Sequence, residues 1–267
     1  MTPAPPSGRP LATGALPDAD DLPSGEEKVR AVRVMFDTIA PRYDLVNRIM
    51  TFRMDVRWRK QTVRDLALPA GSTVLDLACG TGDLCTELVR SGHLPIGVDL
   101  SFGMLAAART HAPLVHADVL RLPMPDGSVD GVTCGFALRN LEELPRFFAE
   151  LARVLRPGGR IALLEVAEPP NPILRFGHAQ YFGKVVPRIG GLLSDGAAYR
   201  YLPKSVSYLP PGEEMLEMLR AAGFTAPRHD LLTVGIARLI TATRGPTTTA
   251  TTATATAATN TPTAPAP

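Results

Sequence analysis

Val74-Leu-Asp76-Leu-Ala-Cys-Gly80-Thr81-Gly82-Asp83 decides the fold: a short apolar run ends in a glycine-rich turn, and a helical pattern opens at Asp83. Thr73 to Ala78 reads as a buried strand and Asp83 to Arg90 as a helix, so the turn sits where glycines let the backbone approach a ligand closely. A dinucleotide fingerprint would carry a third glycine at position 85. Cys85 stands there instead, which points to a ligand smaller than a dinucleotide. The next strand, Pro95 to Asp99, ends in an acid seventeen residues beyond Gly82, placed to accept hydrogen bonds from two ribose hydroxyls. Dinucleotide and adenosyl sites share that acid.

Outward from this stretch, strands and helices alternate. A helix from Ser101 to Thr110 is capped by Ser101, and short strands follow at Leu114 to His116 and Val129 to Phe136. A helix at Leu141 to Leu155 precedes Pro157-Gly158-Gly159 and a strand from Arg160 to Val166. Repeated strand–helix units imply a parallel sheet covered on both faces. Residues 169–210 break the pattern with prolines, glycines and four tyrosines, an insertion of short helices and loops of the kind that shapes a substrate site. A helix from Glu213 to Ala222 then leads into Leu231 to Thr243, enough for one or two closing strands. Upstream, helical spacing runs from Lys28 to Asp65, divided by Pro41.

The ends read differently. Residues 246–267 hold ten Thr, seven Ala, four Pro and one Asn, too little apolar surface to offset the entropy of ordering. Residues 1–27 carry six prolines and an acidic cluster, so both ends are expected to be disordered around a single domain at 28–245. With 28 Lys+Arg against 26 Asp+Glu, the net charge of +2 argues against a nucleic-acid partner. No signal-like segment and no apolar run of membrane-spanning length occurs, and the odd count of three cysteines fits a reducing cytoplasm. Cys79 and Cys134 read as small packing residues, and His93, His111, His116 and His229 show no ligand spacing, so no metal is expected.

At the glycine turn, Asp99 and Ala117-Asp118, with Pro157-Gly158-Gly159 as a further landmark, the chain resembles the class I S-adenosylmethionine-dependent methyltransferases. The resemblance implies an α/β, Rossmann-like fold: a mostly parallel seven-stranded sheet with helices on both faces. It also implies S-adenosylmethionine as cofactor, bound by Asp76, Gly80, Thr81, Gly82, Asp99, Ala117, Asp118, Gly135 and Tyr43. The flanking segments are similar to one narrower group, the ubiquinone/menaquinone biosynthesis C-methyltransferases. They are Phe36 to Thr51 with Trp58, Phe136-Ala-Leu-Arg139-Asn140, Arg153 to Glu165, and Tyr199-Arg-Tyr201-Leu-Pro203 with Ser205. Three positions depart from that group: Asp55 where it often has His, Thr51 where it has Ser, and Gly135 where it commonly has a cofactor-contacting Ser.

The narrower resemblance implies methyl transfer to a ring carbon of a polyprenylated quinol, in menaquinone or ubiquinone biosynthesis. Such a carbon becomes nucleophilic when a neighbouring hydroxyl is deprotonated, so the quinone must first be reduced. Arg139, Asn140 and Asp55 are the implied catalytic residues. Arg139 is too basic to take a proton and suits stabilising a developing phenolate. Asp55 and His178 read more readily as surface or packing residues than as catalytic ones, and Tyr43-Asp44 more readily as a lid over the cofactor than as catalytic. Met50, Phe52, Met54 and the apolar residues from Phe176 to Leu192 fit either core or a surface for a prenyl tail, with Lys184, Arg188 and Arg200 suited to anionic lipid. A cytoplasmic enzyme peripheral to the inner face of the membrane, and a homodimer, are both compatible with this reading. A paralogue acting on another aromatic or natural product, a cofactor-binding subunit without turnover, and a nicotinamide-dependent oxidoreductase are the competing readings. The missing third glycine speaks against the last.

Overall fold

The computed structural model describes residues 24–193, 198, 201 and 204–246; most of the tails expected at 1–27 and 246–267 (residues 1–23 and 247–267), and Tyr199, Arg200, Leu202 and Pro203, lie outside them. Seven strands form one sheet: β1 (Thr73–Leu77), β2 (Leu94–Asp99), β3 (Leu114–His116), β4 (Val129–Gly135), β5 (Leu155–Val166), β6 (Phe224–Leu232) and β7 (Ala237–Arg244). Their order is β3-β2-β1-β4-β5-β7-β6, with β1 to β5 parallel and β7 antiparallel to both β5 and β6. The order reverses between β1 and β4, and the crevice beyond the carboxyl ends of those strands is where such sheets take ligands.

Burial explains why the sheet is covered on both faces. Along β5, Ile161 and Leu163 join one core while Ala162 and Leu164 join the other, the period-2 alternation of a strand between two helix layers. The first core packs Phe147, Phe148 and Leu151 of α6 (Leu144–Val154) with Met215 and Leu219 of α9 (Gly212–Ala221). The second takes Trp58 and Leu66 of α3 (Met54–Leu66) and Leu84 and Leu88 of α4 (Asp83–Arg90). A third, smaller cluster joins Met35 and Ile39 of α1 (Gly25–Ile39) and Val46 and Met50 of α2 (Tyr43–Met50) to Val186 of α8 (Val186–Leu193). That cluster binds the N-terminal helices to the insertion.

Several boundaries differ from the sequence reading. The helix expected over Ser101 to Thr110 is only α5 (Phe102–Ala106), although Ser101 does cap it, its hydroxyl accepting from Met104 N at 3.1 Å. Helix α6 starts at Leu144 because Pro145 fits its first turn, and Leu138 to Asn140 form a separate 3-10 turn. Strand β6 begins at Phe224, upstream of the expected Leu231. Pro227 reads as a breaker, but an edge strand with a bulge between Thr225 and Arg228 accommodates it. Helix α1 also takes in Gly25 to Glu27, assigned to the disordered end from sequence.

Candidate active site

Two cavities meet beyond the carboxyl ends of the central strands. The inner one is lined by Gly80 after β1, Asp99 at the end of β2 and Ser101 just beyond it, Asp118 after β3, and Gly135 at the end of β4 with Asn140 beyond it. The outer one, of about 400 Å³, lies between α2, α3 and the insertion helix α7 (Pro172–Gln180) and is walled largely by apolar side chains. Phe36, Tyr43 and Phe136 line both, so they form the partition. Phe136 holds φ at 60°, a left-handed conformation that costs a bulky residue energy.

The inner cavity is built around Asp99. Its carboxylate accepts from Gly80 N at 2.7 Å and Ser101 N at 2.8 Å, which ties the end of β2 to the glycine turn, and burial holds its pKa above the ordinary carboxylate value. Gly80 sits at φ 56°, and a Cβ built on it would meet nothing within 4 Å, so its backbone borders open space. Gly82 is required for another reason: at φ 84° it caps α4, and a Cβ there would lie 2.5 Å from Thr110 Cγ2. Asp118 is exposed at the cavity edge, with Leu100, Met104, Val119 and Leu120 presenting apolar surface beside the two acids. A buried carboxylate that can accept from a diol, an apolar slot with a second acid at its edge and a glycine turn fit the ribose, adenine and polar tail of an adenosyl cofactor.

The other sequence-named cofactor residues take supporting places. Asp76 lies under the turn, 1% exposed, accepting from Thr133 Oγ1 at 2.9 Å and Cys85 Sγ at 3.4 Å, and burial pushes its pKa up to about 7. The hydroxyl of Thr81 donates to Asp44 Oδ1 at 2.5 Å, pinning α2 onto the turn. Ala117 packs against the core beside Asp118, its N–H donating to Asp99 O at 3.1 Å. A contact that the sequence reading missed makes a second clamp: Asp37 Oδ1 on α1 accepts from Ser101 Oγ at 2.6 Å and Gly103 N at 2.9 Å. Asp37 follows Phe36 in the quoted N-terminal segment, where a short acid next to a partition aromatic was the available signal.

The outer cavity holds the polar groups expected to handle the acceptor. Arg139 is 4% exposed; its Nη1 donates to Glu165 Oε1 at 2.5 Å and to Phe136 O at 2.7 Å, and its Nε to Ser205 Oγ at 3.2 Å. Glu165, fully buried, also accepts from the backbone N–H groups of Arg139 and Val166. This pair fixes the arginine and the φ-strained Phe136 turn together. Asp55, 1% exposed, accepts from Thr51 Oγ1 at 2.7 Å and from Arg59 Nη1 at 2.5 Å. Asn140 is separated from Arg139 by the partition: it lines the inner cavity, and Tyr201 donates to its Oδ1 at 3.4 Å. Of the residues that fitted either core or a tail surface, Met50, Phe52, Met54, Tyr181, Phe182 and Val186 line the outer cavity, whereas Phe176 and Leu192 are exposed.

Comparison with known proteins agrees with this arrangement. The profile of the ubiE/COQ5 methyltransferase family matches residues 23–244. A ubiquinone/menaquinone biosynthesis C-methyltransferase of Syntrophotalea carbinolica is 42% identical over 221 residues, covering 79% of this chain and 93% of that protein. A demethylmenaquinone methyltransferase of Thermus thermophilus is 45% identical over 216 residues, covering 77% and 97%. Among solved structures, a Haemonchus contortus phosphoethanolamine N-methyltransferase in complex with S-adenosyl-L-methionine superposes with a TM-score of 0.53 at 14% identity. That match covers 70% of this chain and 52% of the other, a likeness of fold.

Proposed function

The chain belongs to the ubiE/COQ5 methyltransferase family, and from that premise we propose that it methylates a ring carbon of a polyprenylated quinol, with demethylmenaquinol as acceptor. The observation that carries this reading is the pair of cavities sharing Phe36, Tyr43 and Phe136, one fitted to an adenosyl cofactor and the other apolar and ring-sized. When bound, S-adenosylmethionine supplies an electrophilic methyl group that needs no metal to activate it. The protein's work is therefore positioning, which can contribute about 7–11 kcal/mol of barrier reduction.

Asp99 holds the ribose, Asp118 flanks the adenine at the cavity edge, and the turn at Gly80 admits the cofactor's polar tail. The clamps Asp37–Ser101 and Asp44–Thr81 close α1 and α2 over that cavity and exclude water. On the acceptor side, Arg139 Nη1 and Nε are committed to the protein, which leaves Nη2 for a phenolic oxygen whose negative charge grows as its ring carbon reacts. Asp55 keeps Arg59 beside the same cavity as a second fixed cation.

The mouth of the outer cavity supports a bilayer as the place where the substrate is met. Phe52, Ile173, Leu174 and Val234 line the cavity and are also solvent-exposed, at 72%, 81%, 44% and 63%. From Pro169 to Ser194 the chain carries Arg175, Lys184 and Arg188 and no acidic residue, a composition suited to an anionic lipid surface. No helix among the described residues is long and apolar enough to cross a membrane. Co-flotation with vesicles containing phosphatidylglycerol, lost in Phe52→Ser/Ile173→Ser, is the expected result; equal flotation of both proteins contradicts the surface.

The acceptor is tested by anaerobic incubation of labelled S-adenosylmethionine with the demethylated naphthoquinol and, separately, the ubiquinone-pathway benzoquinol. Label in the naphthoquinol product supports the reading. Label only in the benzoquinol moves the enzyme to the other pathway, and label in neither favours a different aromatic acceptor.

A further inference from the structure

We propose that His178 is the proton acceptor of the reaction, its Nε2 taking the hydroxyl proton of the bound quinol; the proposal rests on the quinol reading above. His178 lies on α7 in the insertion, lines the outer cavity, and packs against Phe182 at a centroid distance of 4.4 Å with the rings tilted by 39°, which constrains the plane of its ring. Nε2 is buried and has no hydrogen-bond partner among the described residues. An imidazole nitrogen shut off from water without a partner is costly, and acceptor binding that shifts the ring toward the cavity His178 lines would give it a hydroxyl partner.

The other titratable groups of that cavity are less suited to take the proton. Arg59 and Arg139 are cations that do not give up a proton. Each oxygen of Asp55 accepts a hydrogen bond within the protein, from Thr51 and from the Arg59 cation, so a quinol hydroxyl has to compete with both partners for it. The hydroxyl of Tyr181 donates to Met50 O at 2.7 Å, and burial raises the pKa of both Tyr181 and Tyr43, which keeps them protonated. Burial lowers the pKa of His178 below its ordinary 6.5, with Glu168 partly opposing, so the ring is neutral and able to accept near neutral pH. Around the cavity the charged and titratable groups are Glu168 on the segment after β5, Tyr181 on the following turn, Tyr43 on α2, Asp55 and Arg59 on α3, and Arg139 after β4.

The step balances. The quinol O–H bond breaks and an Nε2–H bond forms; the electron pair moves through the ring to the adjacent carbon. That carbon bonds to the methyl group as the carbon–sulfur bond breaks with its pair left on sulfur. The methylated carbon then loses its hydrogen as a proton while the oxygen regains one, so one proton is released per turnover.

The test is His178→Gln, assayed on the reduced acceptor across pH 5–9, with S-adenosylhomocysteine affinity measured by calorimetry. The expected result is a fall in kcat of about 10²-fold, with acceptor KM and cofactor affinity within threefold, and loss of the acid limb that the wild type shows below about pH 6.5. A kcat within threefold of wild type, or an acid limb that survives unchanged, overturns the assignment. A wild-type enzyme that does not methylate the quinol overturns instead the reading beneath it. Because Gln could disturb the packing against Phe182, ¹⁵N-histidine spectra of the wild type provide a second measurement. On binding 4-methoxy-1-naphthol, the Nε2 signal of His178 shifts if the ring meets the hydroxyl and stays in place if it does not.

Discussion

Asp99→Asn isolates the charge that organises the inner cavity. The carboxylate accepts at 2.7 Å from Gly80 N and at 2.8 Å from Ser101 N, one oxygen each. Asparagine keeps one of these bonds and turns its amide nitrogen toward the other donor, while occupying the same volume. The cofactor then loses a charge-assisted hydrogen bond from a ribose hydroxyl, on the order of 1.5–3 kcal/mol. At about 1.4 kcal/mol per tenfold, the dissociation constant of S-adenosylhomocysteine rises roughly 10- to 150-fold. Isothermal calorimetry reads this directly, with a thermal melt of the same sample confirming the fold. Asp118→Asn is the control: its side chain is exposed at the cavity edge, where water competes, and its effect should stay below about threefold. A folded Asp99→Asn protein within twofold of wild-type affinity, or a larger effect from Asp118→Asn, refutes the placement of the ribose on Asp99.

Arg139→Lys keeps the charge opposite Glu165 but loses the guanidinium fork, so turnover should fall about 10²-fold with cofactor affinity within threefold; wild-type turnover would remove Arg139 from the reaction. Arg139→Ala, by contrast, leaves a fully buried Glu165 uncompensated and should cost about 3–5 kcal/mol of stability, read by urea denaturation. Asp44→Ala releases α2 from Thr81, and the cofactor should dissociate about tenfold faster in stopped flow, the scale of one charged hydrogen bond near 1.5 kcal/mol. Asp76 holds a proton in the folded state up to about pH 7, against an ordinary value of 3.8. Stability therefore falls as pH rises from about 4 to 7, by at most about 4 kcal/mol at about 1.4 kcal/mol per pH unit. Asp76→Asn should flatten that dependence in melting curves, and an unchanged slope would contradict it.

Much of the sheet was legible because its signals are local. The apolar runs of β1 and β4, the turn at Gly80 to Gly82 and the spacing to Asp99 each follow from a few neighbouring residues. Strand β6 was legible only in part, because Pro227 is a breaker in a central strand and tolerable at a bulged edge, and sequence does not say which strand is the edge. Asp76 shows a different limit. Its position in the motif marks it as a cofactor residue, yet its oxygens face Thr133 and Cys85, and the Thr133 contact exists only once β1 and β4 pair in register at Asp76 and Thr133. The Arg139–Glu165 pair and the Asp37 clamp span 26 and 64 or more positions, so their chemistry was readable while their partnership was not. The Phe136 partition needed the backbone: its φ of 60° sets the ring between the two cavities, and no propensity predicts that for phenylalanine.

The central claim is that an adenosyl methyl donor in the inner cavity and a reduced ring in the outer one react across that partition. Its most direct test is one anaerobic assay with methyl-labelled S-adenosylmethionine and demethylated naphthoquinone, run with and without chemical reduction, the product's label located by mass spectrometry and NMR. The account predicts a carbon-bound methyl group on the ring, formed only from the reduced acceptor. Label on oxygen, or equal label from the unreduced quinone, would contradict it.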